Sequence, residues 1–437
     1  MREHLKYFGD APARWVVERL DIDGEELPVI CHAETWLPAP VVQRYVLRTR
    51  FGIGPAQLIA DMRAVAHFYN WSENVAGIGD FEDFLTAGKF LSEDQLRQLA
   101  HYLEWRQSTP AGKSASEDCQ ISDQTYNIRL FAIQQFLKWA YEPTNHGGRA
   151  ASDQDQVKLQ TTKMFDALEE KKLSVLASRW REPLLIETIK LIRRAIGPNR
   201  DGVFPPNVFA EKTRYRNWIM FEMVLNLGPR KGEVLTLKVE HLSKGRTPGE
   251  IYVPRQQDAS EDPRTRRRPR GKTTERRVPL MDLNLLPFIL KYRDEEPPVG
   301  RNDPRHKSPY LFLTEAGQPV SNSTADYIIK QIKRYTQRLI DSDQTIDEGA
   351  RERCKEDLQD LSWHRLRHTW AVNAARGLYP KHGEGTWAIL RQWGGWRNTK
   401  SMERYVECFK REISDAALVS HLSKRPLKSE DNDNAAT

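Results

Sequence analysis

Residues 145–152, Asn145-His146-Gly147-Gly148-Arg149-Ala150-Ala151-Ser152, interrupt two long stretches of apolar periodicity. No other feature restricts the fold so much. Paired glycines and short polar side chains can neither extend a helix nor fill a core, so the chain on either side must bury its apolar face separately. At 437 residues, with 12 Trp, 14 Tyr and 15 Phe, it has the material for two such bodies.

Before the break, residues 1–36 read as an N-terminal arm. Trp15-Val16-Val17-Glu18-Arg19-Leu20, then Asp23-Gly24, then Leu27-Pro28-Val29-Ile30 suggest a hairpin. Residues 37–143 are helical in pattern. Pro55 opens a helix bearing Leu58, Met62, Val65 and Phe68 at three-to-four spacing. Ser92 and Gln95 have capping-box spacing ahead of Leu96, Leu99 and Leu103. Ser122 caps a run to Trp139 that must stop before Pro143. Residues 144–174 read as linker. Residues 175–423 alternate helices, near 184–196, 213–227, 322–340 and 364–376, with short strands at Ile251–Val253 and Arg276–Leu280. The acidic stretch 341–360 reads as a local insertion, and the polar 424–437 as a disordered tail. The expected class is mainly α with a small β-sheet (α+β).

The formal net charge of +7 permits contact with phosphate backbones without requiring it. No apolar run approaches the ~20 residues of a membrane span, and Met1-Arg2-Glu3-His4 lacks the apolar segment of a signal peptide. The expectation is a cytoplasmic protein. Cys31, Cys119, Cys354 and Cys408 form no CxxC pair, which argues against a zinc module or a disulfide scaffold.

Four segments after the break bear chemistry. In Leu227-Gly228-Pro229-Arg230-Lys231-Gly232-Glu233, Arg230 stands at a turn with Glu233 three residues on; the pair is either a held phosphate fork or a surface ion pair. A basic stretch includes Arg266, Arg267, Arg268, Arg270, Lys272, Arg276 and Arg277, and is either a DNA-contacting loop or a solvated one. Ser362-Trp363-His364-Arg365-Leu366-Arg367-His368-Thr369 puts His364 and Arg367 on one helical face. His364 and His368 lack the Glu of HExxH, so a metal pair is the lesser reading. Finally, Gly394-Gly395-Trp396 precedes Tyr405, one tyrosine among 14.

Together these segments resemble the tyrosine recombinase (phage integrase) family. The matches are Arg230 with Glu233, Lys272 before an Arg276-Arg277-Val278-Pro279-Leu280 strand, the His364–Thr369 box, and Gly395-Trp396 ahead of Tyr405. The resemblance covers roughly residues 37–420 and leaves the arm unexplained. Pro229 and Trp396 depart from the commoner residues, Trp396 standing where a His is usual. The resemblance implies a helical core-binding domain followed by an integrase-type catalytic domain. It implies catalytic roles for Tyr405, Arg230, Lys272, His364, Arg367 and Trp396, support from Glu233, and DNA contacts by Arg266, Arg267, Arg268, Arg270 and Arg276.

The activity so implied is cutting and rejoining of DNA through a 3′-phosphotyrosyl link, with no ATP, metal or other cofactor. Implied partners are double-stranded recombination sites, further copies of the chain in a tetramer on paired sites, and accessory proteins, with no membrane; the setting is the bacterial cytoplasm and nucleoid. A helix expected over Glu412–Leu422 either docks on a neighbouring protomer or packs at home. Alternatives are a type IB topoisomerase, a dimer-resolving enzyme, and a non-catalytic DNA-binding protein on the same fold.

Overall fold

A computed structural model describes residues 14–22, 25–49, 53–105, 120–142, 154–174, 182–242, 247, 249–255, 262–264, 269, 275–295, 297–298 and 308–423. The chain divides into two units, Met1–Ser178 and Arg179–Thr437. Among the described residues, no helix is long and apolar enough to cross a membrane.

The first unit opens with β1 (Trp15–Ile22) and β2 (Glu25–His32), antiparallel with Trp15 opposite His32. Among the described residues, six helices follow: α1 (Pro40–Thr49), α2 (Pro55–Asn74), α3 (Phe81–Thr86), α4 (Glu93–Leu103), α5 (Asp123–Ala140) and α6 (Gln154–Glu169). The expected hairpin is present, and it belongs to the core rather than forming a detached arm. Asn70 of α2 accepts from the Trp15 backbone N–H at 2.9 Å and donates to the Trp15 carbonyl at 2.9 Å. A buried amide that answers both polar groups of a strand residue removes the cost of leaving them unpaired. Phe68, Trp71, Phe81, Leu130, Ile133 and Phe136 fill the space between the helices, and Phe68 meets Phe81 edge-on at 4.7 Å. Ser92 and Gln95 form the expected capping box, and the Ser122 side chain caps α5.

The expected linker is partly helical. Over residues 154–169, Val157, Met164 and Leu168 recur at helical spacing and are buried. That sparse apolar stripe seats α6 on α4 and α5.

The second unit contains α7 (Ile186–Ile196), α8 (Glu211–Leu227), α9 (Lys231–Leu235), β3 (Glu250–Val253), β4 (Arg276–Pro279), α10 (Leu286–Asp294), α11 (Asn322–Ser342), α12 (Glu348–Gln359), α13 (Trp363–His382), α14 (Thr386–Gly394) and α15 (Thr399–Ser423). β3 and β4 pair antiparallel, Val253 opposite Arg276, so the two expected strands do form one hairpin. Helix α13 runs through the core. Leu366, Trp370, Ala371, Ala374 and Ala375 are buried, and α13 packs against α8, α14 and α15.

The acidic stretch 341–360 is part of this core rather than a solvated addition. It forms α12, whose Cys354, Asp357 and Leu358 are buried. Asp357 accepts from both Arg365 and the Leu185 backbone N–H, the latter at 2.9 Å. Arg365 also donates to the Asp357 carbonyl at 2.5 Å. One buried pair thus fastens α12 and the entry to α7 onto α13. The expected separate helix after residue 412 is instead the end of α15, continuous with the turn that carries Tyr405.

Removing one partner of a buried ion pair leaves the other charged and unsolvated. Asp357→Ala is therefore expected to destabilise the second unit by roughly 3–5 kcal/mol, read from a denaturant titration followed by tryptophan fluorescence. A loss below about 1 kcal/mol, the range of exposed pairs, would mean that α12 is not a structural part of the core.

Candidate active site

Helix α8 ends at Gly228, whose φ of 62° and ψ of 28° are left-handed. No other residue fits there: a Cβ would lie 2.0 Å from the Trp370 ring. Helix α14 ends the same way at Gly395, φ 62°. The two helix ends present their last carbonyls to one side chain. Arg367 donates through Nη1 to the Gly228 carbonyl and through Nη2 to the Gly394 carbonyl, the second at 2.6 Å. A guanidinium between two helix C-termini sits where the peptide dipoles favour a cation. Arg367 is nevertheless almost wholly buried, and its Nε–H finds no acceptor among the described residues. Burial, then repulsion from Arg230, pushes its pKa down to about 9; Glu233 and the Tyr405 phenol act the other way.

Arg230 stands just ahead of α9. Glu233 accepts its backbone N–H at 2.8 Å and its Nη1 at 3.3 Å, and the Arg230 side chain stays 28 % exposed. Glu233 also takes Arg276, through Nη2 at 2.6 Å and Nη1 at 3.3 Å, while Arg276 Nε donates to the Trp393 carbonyl at 2.7 Å. Arg276, expected on the DNA surface, is thus buried instead. It lies in phase with Val278 on the inward face of β4.

Tyr405 rides on α15. Met402, Val406 and Phe409 form that helix's buried stripe, which leaves Tyr405 half-buried at the edge. Its ring centroid lies 5.4 Å from His364, 5.7 Å from His368 and 5.0 Å from Trp396. The Arg367 guanidinium carbon stands 4.7 Å from the Trp396 ring and 5.7 Å from that of Tyr405. Trp396 is buried, and its indole N–H has no acceptor among the described residues. His364 is exposed.

The structure therefore brings together Tyr405, His364, Arg367 and Trp396 by direct packing. Arg230 joins them through its electrostatic effect on Arg367, and Glu233 through its bonds to Arg230. Lys272, Arg266, Arg267, Arg268 and Arg270 lie outside the described residues. The sequence reading gave no role to His368 or Trp370. His368 is buried against Tyr405, and the signal for it was its place four residues after His364 on one helical face. Trp370 packs under Gly228 and stacks on Trp396 at 6.1 Å; nothing in its local sequence marks it.

Arg230 and Arg276 share the Glu233 carboxylate, and Arg367 beside them has no carboxylate partner among the described residues, so the three guanidiniums carry two positive charges more than that carboxylate offsets. Such an arrangement suits an oxyanion. Among the described residues, no group of three or more His, Cys, Asp or Glu side chains could hold a metal ion.

Residues 206–412 match the phage integrase family. Among solved structures, the chain is similar to the integrase of transposon Tn1549 in complex with circular intermediate DNA, at 12 % identity over 84 % of this chain and 94 % of that one, TM-score 0.48. It is similar also to the XerH site-specific recombinase bound to palindromic difH substrate, at 13 % identity over 78 % and 88 %, TM-score 0.36. A third is the XerA recombinase, at 14 % identity over 89 % and 98 %, TM-score 0.34. No curated protein matches the chain.

Arg367→Gln removes the charge and keeps an amide donor for only one of the two helix-end carbonyls, leaving the other buried without a partner. Its melting temperature is expected to fall by at least about 2–4 °C, roughly 1 kcal/mol in a unit of this size. A melting temperature equal to that of the wild type would mean that the guanidinium does not hold the two helix ends.

Proposed function

We propose that the chain, whose residues 206–412 match the phage integrase family, is a site-specific tyrosine recombinase and that Tyr405 is the nucleophile with which it cuts and rejoins double-stranded DNA. The Tyr405 oxygen attacks the scissile phosphorus and the bond to the 5′-oxygen breaks. A 3′-phosphotyrosyl link and a 5′-hydroxyl result. Attack by a 5′-hydroxyl of another strand reverses the step and frees the phenol. The link conserves the energy of the broken ester, so the exchange needs no ATP.

The observation that carries this reading is the packing of Tyr405 against His364, Trp396 and Arg367 beside the cationic cluster. Attack adds negative charge to the non-bridging phosphate oxygens. Donors already in place and sheltered from water stabilise that charge without reorganising, each worth roughly 10²–10³ in rate. Arg230 and Arg367 supply the charge. The Nε–H of Arg367 and the indole N–H of Trp396, both without acceptors among the described residues, gain them when the phosphate binds. His364, exposed beside the phenol ring, manages the proton that leaves Tyr405, and Lys272 protonates the departing 5′-oxygen. Arg266, Arg267, Arg268 and Arg270 contact the DNA backbone. The chain acts on paired recombination sites as a tetramer, in the cytoplasm at the nucleoid, with accessory proteins where a site requires them.

Tyr405 packs against Arg367 and Trp396 of its own chain, which supports attack by the tyrosine of the protomer whose arginines hold the phosphate. Three outcomes test the proposal. Tyr405→Phe should bind a nicked suicide substrate yet form no covalent adduct on a denaturing gel; an adduct that persists would falsify the nucleophile assignment. Mixing Tyr405→Phe with Arg230→Ala protein should not restore cleavage, whereas restored cleavage would show attack from a neighbour. Adduct formation should continue in EDTA, and chelation that stops it would establish a metal requirement. Recombination of a two-site plasmid, set beside relaxation of a supercoiled one-site plasmid, separates a recombinase from a topoisomerase.

A further inference from the structure

We propose that Arg276 is a positioning residue for DNA cleavage, fixing the Glu233 carboxylate so that Arg230 is held in register with the helix end bearing Trp396. The inference rests on the functional reading above. The Arg276 and Glu233 side chains are 2 % and 1 % exposed, so Arg276 has no route to a DNA phosphate and acts through other residues.

A carboxylate offers four lone-pair sites, and four bonds from these two arginines match them. Oε2 accepts the Arg230 backbone N–H at 2.8 Å and Arg276 Nη2 at 2.6 Å. Oε1 accepts Nη1 from each arginine at 3.3 Å. The third nitrogen of Arg276, Nε, donates to the Trp393 carbonyl on α14. Arg276 therefore joins three elements: its own strand β4, the start of α9 and the end of α14. Gly395 permits that approach. With φ 62° and a Cβ position only 2.9 Å from Arg276 Nη1, it leaves room for the guanidinium and for nothing larger than hydrogen.

The side-chain bond from Arg230 to Glu233 is long at 3.3 Å, and no second side chain holds the Arg230 guanidinium among the described residues. If the carboxylate swings, the guanidinium moves with it. A displacement near 1 Å costs on the order of 10² in rate when a reaction depends on alignment.

The test measures single-turnover cleavage of a suicide substrate by wild type, Arg276→Gln, Arg276→Lys and Tyr405→Phe, with DNA affinity and melting temperature alongside. Arg276→Gln is expected to bind DNA with unchanged affinity and cleave roughly 10²-fold more slowly. Arg276→Lys folds with the Glu233 charge still paired, but a point cation cannot bridge to Trp393, so it too should be slow. In an Arg230→Lys background, Arg276→Gln should cost less than about threefold more, because the group it positions is already gone. Full-rate cleavage by Arg276→Gln or Arg276→Lys would overturn the proposal, as would an equal loss in both backgrounds, which marks a purely structural role. Failure of the functional reading looks different: the wild type itself would then form no adduct beyond that of Tyr405→Phe.

Discussion

The second unit is organised around one buried guanidinium. Helices α8 and α14 each end in a left-handed glycine, and Arg367 from the central helix α13 donates to the Gly228 carbonyl of one and the Gly394 carbonyl of the other. Helix ends leave carbonyls unpaired, and burying them without donors is costly. Arg367 satisfies both ends with two nitrogens and keeps a third N–H in reserve. The turn after α8 delivers Arg230, and the turn after α14 delivers Trp396. The placement of both therefore follows from the side chain that pins their helix ends. Trp370, packed under Gly228 and stacked on Trp396, fills the space between those turns and keeps them from closing on each other.

The cluster is electrostatically unbalanced among the described residues. Arg230 and Arg276 bond to one carboxylate, Glu233, and Arg367 bonds to backbone carbonyls alone. Burial and Arg230 hold the Arg367 pKa at about 9, a sign that the folded chain bears an unrelieved cost for its charge. A phosphate offsets that cost, and a phosphorane bearing more negative charge offsets it further. Interactions that strengthen as charge develops accelerate the chemical step, whereas equal attraction to ground and transition states does not. Among the described residues, the buried pairs Arg365 with Asp357 and Arg264 with Asp262 are balanced one to one. Those matched pairs hold the framework, whereas Arg367 has no carboxylate of its own among the described residues.

Much of this was legible in sequence because the functional groups sit on short local frames. His364 and Arg367 fall on one face by helical spacing alone, and Gly228-Pro229 announces a helix end with Arg230 at the next turn. The hairpin at β1–β2 and the caps at Ser92 and Ser122 are equally local. What could not be read depends on partners far away in the chain. Arg276 opens an expected strand, and its charge counts there among the DNA contacts, although its two-residue phase with Val278 puts it on the buried face of β4. The acidic run before Ser362 reads as a local insertion because the cation for Asp357 is Arg365, on the next helix. Residues 154–169 looked like linker because three apolar side chains, Val157, Met164 and Leu168, suffice to seat a helix whose other faces are polar.

The parts of the site are held by different interactions. Glu233 and Arg276 are fixed by buried bonds to each other and to backbone, and Arg367 by bonds to two helix-end carbonyls. Tyr405 is carried by a helix secured through the buried Met402, Val406 and Phe409 stripe and through an Arg376–Glu412 pair whose side chains are about 40 % exposed. An exposed pair contributes roughly 0–1 kcal/mol, so the apolar stripe carries most of what holds that helix in place. Directional hydrogen bonds therefore fix the guanidinium side of the cluster, and apolar packing fixes the phenol side.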